Sequence, residues 1–162
     1  MSLNRQQSLG VFVISIFFAL ALKIIPLPGF FSLINPDWVL LTLIYWSITT
    51  PERTGVISAW TIGILTDVLT GRLLGQYALA YSLANYFCIK NHQRLKRFPL
   101  FQQVLFIFFL QLLTNLLIFW TENIHSATRF TSAFWLPIIS GTLFWPIIYF
   151  ILGQIQAPKK QR

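Results

Sequence analysis

The sequence predicts an all-α membrane protein, a single domain of six transmembrane helices over residues 1–162. Six apolar stretches fill the chain, at 9–25, 30–49, 54–70, 73–89, 101–120 and 133–152. Each is close to the ~17 to 25 helical residues that cross a hydrocarbon core about 30 Å thick. The charges gather between the stretches, in a chain that is 56% hydrophobic and only 10% charged. Lipid offers no hydrogen-bond partners, so each stretch must satisfy its own backbone and is expected to be a helix. The short loops leave no room for a soluble catalytic domain.

The first stretch is too long for a typical signal-peptide core. Lys23 and Pro26 stand where a small-residue cleavage site would be, so it is expected to remain as a span. The second carries Trp38 near one interface and Trp46 deeper, with Asp37 at its end. Along the third, Gly55, Ala59, Gly63, Asp67 and Gly71 recur every four residues and form one ridge. Small ridges let helix backbones approach closely where lipid supplies no hydrophobic drive. The ridge suits packing inside the subunit, or an interface with a partner or a second copy in a homodimer.

Asp67 interrupts that ridge. A carboxylate at the centre of a span costs about 2.5 to 3.5 kcal/mol on insertion scales, so it should have a partner or a function. Lys23, Arg72 and Asn115 lie at similar depth. Asn85 in the fourth span, with Gln111 and Asn115 one helical turn apart in the fifth, are candidate interhelical ties together with Lys23. Asp67 is read as structural, with substrate or proton handling and partner contact as the alternatives. Trp120 and Trp135 join Trp38 at the outer interface, while Trp60 and Trp145, like Trp46, are expected to pack between helices.

Orientation follows from the basic residues. With the N-terminus inside, the cytoplasmic segments hold Arg5, Arg53, Lys90, Arg94, Lys96, Arg97, Lys159, Lys160 and Arg162, and the other side holds Lys23, Arg72 and Arg129. Cytoplasmic loops carry the excess of Lys and Arg, so both termini are expected in the cytoplasm. A basic loop over 90–98 is the main cytoplasmic anchor, with a tail over 153–162. The loop can rest on anionic lipid headgroups or dock a cytoplasmic partner. Nucleic acid is not expected, since no fold is available to present the patch.

No catalytic constellation is visible. His92 and His125 fall in loops, and neither has a carboxylate at metal-ligand spacing. There is no Gly-x-Ser-x-Gly elbow, His-Glu-x-x-His helix or phosphate-cradling loop. Of the four acids, only Asp67 lies within a span, so the second carboxylate of an intramembrane aspartyl protease is missing. Cys88 is the one cysteine and cannot pair within the chain. No enzyme, cofactor or metal site is expected.

Several segments carry a family resemblance. The run Asn35-Pro36-Asp37-Trp38-Val39-Leu40-Leu41, followed by Tyr45-Trp46, resembles the start of the second span in the MreD family of bacterial rod-shape-determining membrane proteins. The segment Gly63-Ile64-Leu65-Thr66-Asp67-Val68-Leu69-Thr70-Gly71, then Leu74-Gly75, is similar to that family's glycine–aspartate signature. Phe134-Trp135 and Trp145-Pro146 complete the match. The resemblance implies a non-catalytic inner-membrane scaffold of the cell-elongation machinery. It implies binding to the bitopic protein MreC and, through it, a link to the MreB cytoskeleton and the RodA–penicillin-binding-protein peptidoglycan synthase. It also implies a fold similar to the S-components of energy-coupling-factor vitamin transporters, which keeps open a small-molecule binding or transport subunit. The Ala-xxx-Ala pattern those components use to dock their energising module is absent: Ala19 and Ala21 are two apart. That departure counts against an active transporter.

Overall fold

The computed structural model describes residues 5–52, 54–125 and 134–156. Arg53, Arg129, Lys159, Lys160 and Arg162 of the charge count lie outside the described residues, as does the tail beyond Gln156. The described chain is all-helical. Its elements are α1 (Arg5–Ile24), α2 (Phe30–Ile34), α3 (Trp38–Thr49), α4 (Val56–Thr70), α5 (Gln76–Arg97), α6 (Leu100–His125) and α7 (Leu136–Gln156). By length and composition, Phe30–Thr49, Leu100–Ile124 and Leu136–Gln156 can each cross a membrane, and Leu9–Ile24 and Val56–Thr70 are shorter apolar helices.

The second apolar stretch is not one continuous helix. It breaks between α2 and α3 at Asn35-Pro36-Asp37. The proline ring disfavours helical geometry at the residue before it, and Asn35 is extended, with ψ 112°. Asp37 then restarts the helix by accepting the Leu40 N–H at 3.1 Å, the arrangement of a side-chain N-cap.

The basic segment 90–98 is also not a loop. It forms the last turns of α5, which runs unbroken to Arg97. Nothing in the sequence halts the helix until Pro99 forces Phe98 out of the helical region. Gln103, from the first turn of α6, donates to the carbonyls of Leu95 at 2.8 Å and Phe98 at 3.3 Å. Arg94, Lys96 and Arg97 therefore sit in the last turn of a helix, where positive charge is favoured by the exposed carbonyls, and Lys90 stands earlier on the same helix. Lys96 also reaches the Thr49 carbonyl at 3.0 Å, joining the ends of α5 and α3.

The middle of the fold is α3. Every residue from Val39 to Ile48 is buried, as expected of a helix apolar on all sides. Direct contact on α3 comes from α1, α5 and α7. Around it the helices meet in the order α1, α4, α5, α6, α7 and back to α1, while α2 lies on α7. The outward faces are apolar, with Phe17, Ile57, Phe101 and Leu143 among their most exposed residues. Trp46 and Trp145 are fully buried, but Trp60 is 51% exposed on the outer face of α4 and does not pack between helices.

Candidate functional site

The glycine–aspartate ridge forms the contact between α4 and α5. Ala59, Gly63 and Asp67 are all buried there. A Cβ on Gly63 would lie 2.6 Å from the Ala78 nitrogen and 2.7 Å from the Tyr77 carbonyl oxygen, so only a glycine fits against the first turn of α5. The ends of the ridge do different work. Gly55 precedes α4 with open space around it, and Gly71 ends the helix at φ 65°, a left-handed C-cap that glycine adopts without strain. The ridge is therefore three residues deep and consumed inside the subunit, so Ala59, Gly63 and Asp67 are not a surface for a second chain.

Asp67 finds none of the partners suggested by depth. Its carboxylate accepts the backbone N–H groups of Gly75 at 2.9 Å, Tyr77 at 2.9 Å and Ala78 at 3.4 Å. These belong to the N-terminus of α5, whose N-cap residue Gly75, at φ 105°, has no side chain to offer. A helix N-terminus leaves its first amides unpaired and carries partial positive charge. Asp67 supplies the missing cap from the neighbouring helix, which accounts for a carboxylate that is 0% exposed.

Among the described residues, two ion pairs stand at the same end of the bundle. Lys23 Nζ lies 2.8 Å from Asp37 Oδ2. The Tyr81 hydroxyl donates to the Asp37 carboxylate and accepts from Lys23, each at 2.8 Å. Leu40 N–H also reaches Asp37, so three donor groups hold this carboxylate. The pair ties α1 to α3 and α5. The second pair joins Arg72, after α4, to Glu122 near the end of α6, and is more open, with side chains 39% and 32% exposed. The Tyr77 ring lies between the two cations, 3.8 Å from Lys23 Nζ and 5.6 Å from the Arg72 guanidinium carbon. These residues, with Asn35, Asn115 and the start of α7 at Pro137, line a chamber of about 620 Å³ whose surface is half polar.

The remaining polar residues fall into two kinds. Asn85 joins three elements: it accepts from the Ser47 hydroxyl on α3 and donates to the Thr54 and Gly55 carbonyls at 2.9 and 3.0 Å. Gln111 is buried against Gly141. With its amide oriented to satisfy both neighbours, it donates to the Pro137 carbonyl at 3.3 Å and accepts from Thr142 N–H at 3.1 Å, linking α6 to α7. Asn115 donates to the Gln111 carbonyl of its own helix at 2.9 Å; it lines the chamber, and among the described residues no hydrogen bond carries it to another helix. On the lipid-facing side, α1, α3 and α7 leave an apolar groove of about 350 Å³, with Ser15, Ala19 and Thr42 on its floor.

Tyr77 and Tyr81 escaped the sequence reading. Their signal was available, because they stand four apart on one face of α5, the face that meets Lys23. Among the described residues no three His, Cys, Asp or Glu side chains converge as a metal site would require.

The fold and these contacts define an all-helical membrane protein in which ionic side chains bind helix ends to one another. Residues 5–155 match the family model described as rod shape-determining protein MreD, and the chain belongs to that family. It is 30% identical over 152 residues to the rod shape-determining protein MreD of Haemophilus influenzae, covering 92% of this chain and 93% of that relative. No solved structure matches the chain.

Proposed function

We propose that this chain is a non-catalytic scaffold in the bacterial inner membrane. It serves the cell-elongation machinery by binding an MreC-like bitopic protein and, through it, coupling the MreB cytoskeleton to the RodA–penicillin-binding-protein synthase. The observation that carries this reading is membership of a shape-determining family over residues 5–155. The charge distribution supports an orientation with the Lys90, Arg94, Lys96 and Arg97 end of α5 in the cytoplasm, against anionic headgroups, and the Lys23 and Arg72 end outside.

A lateral surface suited to a partner span is the groove between α1, α3 and α7. Its small floor residues admit a helix ridge, whereas the α4 ridge is already filled by α5. Depletion of the protein in a rod-shaped host should give round cells, and an MreC-like protein should co-purify in fixed ratio in mild detergent. Cysteines at Ile14 and Ile151, beside the groove, should cross-link to the partner's span. Saturable movement or modification of a small molecule by the purified protein in liposomes would refute the scaffold reading.

A further inference from the structure

The two ion pairs of the chamber differ in a way that bears on ligand binding. Around Lys23 and Asp37 most strong positions are taken: the carboxylate has Lys23, Tyr81 and the Leu40 amide, and the ammonium has Asp37, the Tyr81 oxygen and the Tyr77 ring. That pair is a wall. Arg72 is different. A guanidinium carries five N–H donors in a planar fork, the contact with Glu122 is made through Nη1, and the side chain is 39% exposed. Arg72 lines a chamber whose volume falls within the roughly 300 to 1,000 Å³ of small-molecule sites.

The charge balance restricts what can enter. Among the described residues, two cations and two carboxylates line the space. A purely anionic ligand would face Asp37 and Glu122, and a purely cationic one would face Lys23 and Arg72. We propose that this chamber binds a phosphoethanolamine-type zwitterion, its phosphate held by the Arg72 fork and its ammonium balanced by the Glu122 carboxylate. Arg matches phosphate geometry through paired N–H donors, and the Asn35 and Asn115 amides add polar surface beside it. The zwitterion can come from a lipid headgroup or from a free solute.

The experiment uses the full chain, purified in mild detergent and followed by native mass spectrometry. It is titrated with short-chain phosphatidylethanolamine, short-chain phosphatidylglycerol and free phosphoethanolamine. The expected result is saturable binding of one phosphatidylethanolamine, displaced by free phosphoethanolamine, with phosphatidylglycerol weaker. Arg72→Gln should weaken binding about tenfold or more, the scale of one lost charged hydrogen bond. Asn115→Leu, which replaces a lining amide with an apolar group without removing a charge, should do likewise. Leu74→Ala, on an exposed side chain outside the lining, should leave binding unchanged. Free phosphoethanolamine binding as tightly as the lipid identifies a solute site, and much weaker but competitive binding identifies a headgroup site. Failure of the free zwitterion to compete, equal binding of phosphatidylglycerol, or unchanged binding in both chamber variants overturns the proposal. The scaffold reading is judged by co-purification, cross-linking and the liposome assay, none of which measures headgroup binding, so failure of one proposal is distinguishable from failure of the other.

Discussion

Replacing Asp67 separates a helix cap from an ionic function. The carboxylate takes three backbone N–H groups of α5, two of them at 2.9 Å, while completely buried. Hydrogen bonds to a charged group contribute about 1.5 to 3 kcal/mol each, and a buried donor left unpaired costs about 1 to 3 kcal/mol. Asp67→Asn keeps one acceptor oxygen, loses the charge at the helix N-terminus and turns one amide nitrogen towards donors. A loss of about 1 to 3 kcal/mol is expected. Asp67→Leu offers no acceptor, leaving at least the Gly75 and Tyr77 amides unpaired, and adds bulk to the tightest helix contact. It should cost about 3 to 6 kcal/mol, near the whole stability of a marginal fold. The assay is thermal unfolding of purified protein in detergent, with folded yield after size exclusion as a second measure. Equal losses for the two variants, or a stable Asp67→Leu protein, would refute the capping role. Normal folding of Asp67→Asn with loss of rod shape would show that the charge itself is used.

Other substitutions test the same frame. Gly63→Ala should lower folded yield sharply, because its methyl meets the Ala78 backbone, whereas Gly55→Ala, with open space around it, should fold as well as the wild type; comparable yields would contradict the close approach of α4 and α5. Lys23→Met leaves Asp37 and Tyr81 facing each other without their cation. The loss should be about 3 kcal/mol, the lower range for breaking a buried pair, and an unchanged melting temperature would show that the pair is effectively solvated. Reporter fusions after Gly29, Arg72 and Asn123 should score as periplasmic and fusions after Arg97 as cytoplasmic. A clean cytoplasmic signal at any of the first three would remove a span from the topology.

Apolar length and charge placement were enough to make the helical membrane architecture legible in the sequence, and the family motifs were legible in their order. The interior of the site was not. Asp67 was matched to side chains of suitable charge and depth, but its partners are backbone amides, which every residue carries and no composition reveals. The clue was Gly75: a glycine immediately before a helix, unable to cap it, eight residues beyond an aspartate that could. The break at Asn35-Pro36-Asp37 was hidden because hydropathy averages over a proline whose effect is local. The segment 90–98 passed for a loop because charge was taken as a sign of irregular structure, although basic residues are favoured in a last helical turn and Pro99 is the first true stop. Trp60 shows a different error: a position within an apolar stretch does not say which way the helix faces.

The enclosure of α3 sets a timetable for the nascent chain. This helix touches α1, made before it, and α5 and α7, made long after it. About a hundred residues separate the end of α3 from the end of α7, roughly 5 to 20 s of bacterial synthesis. During that interval α3 must lie in lipid with flanks that later become interior. Only when α7 arrives against α1 does the circle close. A chain cut short before α7 would keep an open seam along α3, its flank towards that helix still facing lipid.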